Sequence, residues 1–368
     1  MIRSGKERQR FWPDGALSMK IFYAGCEYDH FDPKRGRSFE HENMYVPLAA
    51  YPGATVTYFP FERILEGGDL ARGREKFNKD LIEAVQREKP DLLFVFPYSD
   101  ELEPATLDAL KQHTRTVAWF ADDSWRFYNY SKFWATHYSW AITTYSWMPP
   151  LYRAAGQPNV IRSQWAADTA RYKPALVERG ESGPDVSFVG SWSRPRAEII
   201  EALGRRGIRV AAYGGGWPGG RISHEDMLRI FATSRINLAL NPAPGLWNKN
   251  SIGRLVARPS LTRIVPDFHF AANFEAWLHR DIPQVKARHF EIPACGGFMM
   301  TGGADDLDRY YEPGKEIAMY GTVNELVEKI RYYLAHEDER AAMARAAYER
   351  TIREHTYQRR FEEIFKMI

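Results

Sequence analysis

The sequence predicts an α/β protein made of two similar, doubly wound halves that face each other across a cleft. Three observations lead there. Short apolar runs alternate with amphipathic helical stretches, an alternation that implies parallel sheets covered by helices on both faces. The pattern restarts near residue 170. At 368 residues the chain also exceeds what one hydrophobic core usually serves.

Residues 1–18 read as an extension; their positive charge precedes no apolar stretch, so they are not expected to act as a signal peptide. Regular structure is predicted to begin at MKIFYAG (19–25), followed by strands in ATVTYFPF (54–61), DLLFVFP (91–97), RTVAWFADD (115–123) and SWAITTY (139–145). NKDLIEAVQREKP (78–90) is an amphipathic helix closed by proline. The second half repeats the scheme: strand DVSFVGS (185–191), helix RPRAEIIEALGRRG (194–207), strand IRVAAYGGG (208–216), helix HEDMLRIFATSR (224–235) and strand INLALN (236–241). A helix start and a buried strand follow in RHFEIPACGGFMMTGG (288–303), then the strand EIAMYG (316–321). TVNELVEKIRYYLAH and the run 338–366 are helical. The boundaries that result are 19–170 for the first domain, 171–352 for the second, and 353–368 for a last helix returning to the first.

Composition sets limits. An apolar fraction of 44% and a charged fraction of 26% are ordinary for a globular protein, and a net charge of +3 gives no argument for nucleic acid or membrane. Cys26 and Cys295 are far apart in apolar contexts, which offers neither a disulfide framework nor a metal spacing. No stretch approaches the ~20 apolar residues of a membrane span, so a cytoplasmic chain is expected.

Ligands of such sheets bind beyond the carboxyl ends of the strands, so the strand-to-loop junctions carry the candidates. GGGWPG (214–219) satisfies G-x-G-x-x-G only formally, because it follows the second strand of its half and Pro218 breaks the helix the fingerprint needs. It reads as a glycine-rich turn near a ligand. In SFVGSWSRPR (187–196) the backbone opens at Gly190 and Ser191, and Arg194 and Arg196 enter a helix whose dipole they oppose. That arrangement suits a phosphate, or else a solvated basic turn.

WFADDSW ends a buried strand on Asp122 and Asp123, an acidic pair able to cap a helix, bind a metal or act as a base on a hydroxyl. The aromatic tract that follows, with Trp125 near its start, reads either as a stacking platform or as interdomain packing. Residues 242–266 contain Trp247, Lys249, Arg254, Arg258 and Arg263 and no acid. They read as a basic loop for a polyanionic acceptor, or as a solvated insertion.

The second half resembles the glycosyltransferases of the CgeB-like, group 1 type. The resemblance rests on VSFVGSWSRPR, YGGGW, SRINLALN, RHFEIPACGGFMMTG, YYEPGKEIAMYGTVNELVEKIRYYLAHEDER and HTYQRR, in that order. It implies the GT-B fold of two Rossmann-like domains, an acceptor domain followed by a nucleotide-sugar donor domain. The implied activity moves a sugar from a UDP- or GDP-sugar to a hydroxyl on a glycan, a small molecule or a modified DNA base. By resemblance Glu291 receives the donor ribose, and a carboxylate at a helix start can accept both hydrogen bonds of a vicinal diol. Lys286 and Arg288 then face the diphosphate opposite Gly190, Ser191, Arg194 and Arg196, while Gly296 and Gly297 allow close approach.

Protein cations take the role a metal would have, so neither metal nor cofactor is expected beyond the nucleotide sugar itself. Asp122 or Asp123 is the expected base, with His30 in GCEYDHFD as the other candidate. Trp125, Trp247, Lys249, Arg254 and Arg258 are the expected acceptor contacts. His355 is expected to orient the last helix. The alternative reading is a catalytically degenerate member that binds nucleotide sugar or glycan as a structural protein of a surface or spore layer.

Overall fold

The computed structural model describes residues 19–174 and 183–368, so the extension 1–18 lies outside the described residues. Six strands form the first sheet: β1 Met19–Gly25, β2 Ala54–Pro60, β3 Leu92–Val95, β4 Arg115–Phe120, β5 Trp140–Thr143 and β6 Val160–Arg162. Their order is β2-β1-β3-β4-β5-β6, and every pairing is parallel. The second half opens with β7 Val186–Val189, β8 Ala211–Tyr213 and β9 Ile236–Ala239. The hairpin strands β10 Ala257–Ser260 and β11 Arg263–Pro266 come next, then β12 Met299–Gly302 and β13 Ala318–Tyr320. Its main sheet runs β13-β12-β9-β7-β8, again parallel throughout.

All four residues of β3, of β7 and of β9 are buried, as expected of parallel strands covered on both faces. Chain direction fixes where a ligand can sit. In the first sheet the connections leave to opposite sides between β1 and β3; in the second they do so between β7 and β9. Such switch points leave a crevice at the carboxyl ends of the strands.

Four sequence expectations change. The long first-half helix spans Leu70–Glu88 rather than starting at 78, because Asp69 caps it by accepting from the amides of Ala71 and Arg72. The polar first turns hid that start. Strand β6, three residues long and ending on Arg162, has too little apolar sequence to announce itself.

The helical run 338–366 is broken at His355. Thr356 pairs in a parallel bridge with Ala167, and a new helix, Tyr357–Met367, lays Phe361 and Phe365 against Phe94 and Tyr51 of the first half. Finally, the basic stretch is no solvated insertion. The β10–β11 hairpin and the helix Phe270–Leu278 dock on the first half, with Leu261, 3% exposed at a left-handed φ of 51°, packed into the core of that half. Its amide bonds Ser99 Oγ at 3.1 Å, Arg258 pairs with Asp100 at 3.1 Å, and Asn129 bonds Asn273 at 2.9 Å.

Candidate functional site

The two switch points open onto one cavity of about 380 Å³. The first half contributes Phe39 and Glu40 beyond β1, Phe96 beyond β3, Ala121 and Asp122 beyond β4, Thr144 and Tyr145 beyond β5, and Trp165 beyond β6. The second half contributes Gly190, Ser191 and Arg196 beyond β7, and the run Gln284–Arg288.

The second-half wall is cationic and locked. Arg196 donates to Ser191 O at 2.8 Å and Leu240 O at 3.2 Å, and no carboxylate pairs with it among the described residues. Arg288 donates to Val189 O at 3.2 Å and pairs with Glu291 on the next turn of the helix Arg288–Ala294. Glu291 lies beneath Arg288, fully buried, and its Oε1 has no hydrogen-bond partner. Lys286 reaches across the cleft to within 3.9 Å of Asp122, its side chain 41% exposed. Burial and Arg196 push the Lys286 ammonium down, while Asp122 partly restores it.

His289, a group the sequence reading passed over, holds this run in place. Its Nδ1 lies 2.9 Å from both the amide nitrogen and the carbonyl oxygen of Lys286, its Nε2 is hydrogen-bonded to Thr301 Oγ1 at 2.9 Å, and that hydroxyl donates to Ala239 O at 3.0 Å. Burial pushes the His289 imidazole down to about 4, so it stays neutral at neutral pH.

Two carboxylates line the cavity from the first half, Glu40 and Asp122. Asp122 sits at the end of β4 in a left-handed conformation, φ 56°, unusual for a residue with a side chain. Burial raises its carboxyl, yet Lys286, Arg126 and Arg280 outweigh that and hold it below the ordinary carboxylate range. Glu40 moves the other way, pushed up by burial. Nothing in its sequence context, SFEHENMY, singled it out; its place at the first switch point could have.

The remaining expected site residues lie elsewhere. Asp123 turns inward, fully buried, accepting from Tyr152 Oη at 3.0 Å; burial pushes it up to about 7. It does not face the cavity, because successive residues of the turn point to opposite sides. The His30 side chain is 61% exposed, beside Asp29. Arg194 is solvated and pairs with Glu198 at 2.9 Å. Gly296 and Gly297 follow the far end of the Arg288–Ala294 helix; a Cβ on Gly297 would lie 2.5 Å from Phe231 O, so this glycine serves packing rather than ligand access. The GGGWPG turn packs behind the site: Trp217 Nε1 donates to Gly190 O at 2.9 Å, and a Cβ on Gly214 would meet the same oxygen at 2.2 Å.

The turn 122–126 separates this cavity from a second one of about 300 Å³, lined by Trp125, Arg126, Asn129, Tyr130, Phe133 and Trp134 with Asp100, Arg254 and Arg258. Of the expected acceptor contacts, Trp125, Arg254 and Arg258 gather here; Trp247, 83% exposed, and Lys249 line neither cavity.

Residues 194–366 match the family model described as glycosyl transferase-like. That match lies within the second half of the chain, which is therefore similar to glycosyltransferase domains. The whole fold is similar to sucrose-phosphate synthase from Thermosynechococcus elongatus, with 12% identity and a TM-score of 0.62 over 95% of this chain and 98% of that one. It is also similar to HepE of Anabaena in complex with UDP, with 11% identity and a TM-score of 0.59 over 95% and 100% of the two chains. A glycosyltransferase of Rickettsia africae aligns with 11% identity and a TM-score of 0.60 over 96% and 98%. No curated protein matches the sequence. The architecture is therefore GT-B, two Rossmann-like domains facing across a cleft.

Proposed function

We propose that the protein is a glycosyltransferase that moves a sugar from a nucleoside-diphosphate sugar to a hydroxyl acceptor. The observation that carries this reading is the cluster of Arg196, Lys286 and Arg288 at one switch point, facing Glu40 and Asp122 at the other. Three cations on a concave wall suit a diphosphate, and they stabilise a leaving group that gains charge as the glycosidic bond breaks. The UDP held by the Anabaena neighbour supports a uridine donor.

In this reading residues 19–170, with the insertion docked on them, bind acceptor, the rest of residues 171–352 binds donor, and 353–368 tie the two. When the diphosphate enters, Arg288 turns from Glu291 towards it, and the freed carboxylate, whose Oε1 is already unpartnered, receives the ribose hydroxyls. The bond from the anomeric carbon to the β-phosphate oxygen breaks, with its electron pair leaving on the diphosphate. The acceptor oxygen bonds the anomeric carbon and gives its proton to a carboxylate. Glu40 takes that proton, because a carboxyl pushed up is the stronger base, whereas Asp122 is held low and stays charged to orient Lys286 and the acceptor hydroxyl.

The test is calorimetric titration of UDP, GDP and their sugars, followed by product assay. Binding of one nucleoside diphosphate, with turnover lost in Glu40→Gln but donor binding kept, supports the proposal. Donor turnover that survives Glu40→Gln removes Glu40 from the mechanism, and absence of any nucleotide binding removes the donor site.

A further inference from the structure

The wall of the second cavity, with Arg280 just outside its lining, carries a charge arrangement that the transfer reaction leaves unexplained. Arg254 and Arg280 both stand over the Trp125 ring, their guanidinium carbons 4.8 Å and 4.4 Å from its centre. Arg126, in the same turn, lies 4.4 Å over Tyr130 and donates to Tyr98 O at 2.6 Å. No carboxylate forms an ion pair with any of these three among the described residues. Among the described residues the Arg254 side chain makes no hydrogen bond either, and Arg280 spends only its Nε, on Ser251 Oγ at 3.3 Å, leaving a buried Nη1 with no partner.

Outside the cleft, other partly buried arginines are matched: Arg162 by Asp306, Arg171 by Glu42, Arg350 by Glu316. Even within this cavity wall, Arg258 is matched by Asp100. Like charges gathered in a partly buried place cost free energy unless an anion arrives; the acid acting on both Arg254 and Arg280 is Asp122, which Lys286 also approaches, and the carboxylates lining the cavity, Asp100 and Asp267, are engaged by Arg258 and His269. Guanidinium forks suit phosphate oxygens, and the aromatic wall of Trp125, Tyr130, Phe133 and Trp134 suits the flat face of a sugar ring. About 300 Å³ admits a small molecule and excludes a duplex.

We propose that this cavity is a phosphate subsite for the acceptor: Arg126 and Arg254, which line it, bind the phosphate monoester of a small, sugar-phosphate-sized acceptor beside Trp125, and Arg280, over the same ring but outside the lining, adds its charge. The acceptor hydroxyl then lies past Asp122, at the mouth of the donor cleft. That the ligand is an acceptor rests on the glycosyltransferase reading; that the cavity binds phosphate does not.

The experiment titrates hexose 6-phosphate, the parent hexose, a hexuronate and inorganic phosphate into the protein, each with and without saturating UDP. Wild type is expected to bind hexose 6-phosphate in the presence of UDP, at least about tenfold more tightly than the hexose or the hexuronate. Arg254→Gln with Arg280→Gln should weaken hexose 6-phosphate about tenfold or more while UDP affinity stays within about threefold. Arg254→Lys, which keeps the charge, should recover part of the loss.

Equal binding of hexose and its phosphate would overturn the proposal. So would full displacement of phosphate by UDP, unchanged phosphate affinity in the double variant, or a duplex DNA that competes for the same arginines. If UDP fails to bind but hexose 6-phosphate binding still depends on Arg254 and Arg280, the donor reading falls and the phosphate site stands.

Discussion

On the second-half wall of the cleft, Lys286, Arg288 and Glu291 come from one short run at the start of a helix, and His289 in the same run fixes its backbone to β12. On the first-half wall, Glu40 and Asp122 come from turns far apart in the chain, and the neighbouring cavity is closed by an insertion belonging in sequence to the other half. One wall is a local motif held rigid from within. The other exists only once two sheets and a hairpin have come together. A site built in the first way is pre-organised before ligand arrives; one built in the second way inherits its geometry from long-range packing.

The sharpest way to break this contrast is Arg288→Gln. It removes a diphosphate cation and leaves Glu291 buried without its partner, so turnover should fall about 10³-fold and stability by about 3 kcal/mol. Steady-state kinetics with a chemical denaturation curve checks both. A variant that keeps its turnover would mean that the cation wall does not hold the donor.

On the opposite wall, Glu40→Gln should lower turnover about 10²-fold with little change in melting temperature, whereas Asp123→Asn should leave turnover within about threefold. The pair separates a carboxylate that faces the cavity from one that faces the core.

Leu261→Ala tests whether the insertion is a structural part of the first half. Removing a buried side chain from that core should cost about 2–3 kcal/mol in urea unfolding. It should also raise the KM for acceptor more than that for donor, since Trp125 and Arg254 lose their support.

The smallest effect is a pH dependence. The folded His289 pKa of about 4 lies below its unfolded value of about 6.5, so the folded state binds fewer protons between them. Its contribution is complete above about pH 6.5 and is lost as pH falls towards 4. His355, also pushed down to about 4 by burial, acts in the same window. In a pH series of melting temperatures, His289→Gln should make the slope between pH 6.5 and 4 shallower.

The same contrast explains what could be read from sequence. Parallel strands buried on both faces are continuous apolar runs, so β1, β3, β4, β7 and β9 are visible in the sequence, and the cationic run Lys286–Arg288 is visible because its charges lie close together. Strand β6 is too short to show a pattern. Glu40 has nothing around it that marks it, and its position follows only from strand order. Asp122 and Asp123 look equivalent side by side, but the left-handed turn at Asp122 points one into the cleft and the other into the core. The basic stretch 242–266 looked solvent-facing because its charges are dense, while the residue that anchors it, Leu261, is one apolar side chain between two strands.

The account stands most directly on one titration, UDP into wild-type protein and into Arg196→Gln with Lys286→Gln, followed by calorimetry. The expected result is one UDP bound per chain by wild type, weakened about 10- to 100-fold by the double substitution. Identical affinities, or a wild type that binds no nucleoside diphosphate at all, would contradict a donor site on the second-half wall.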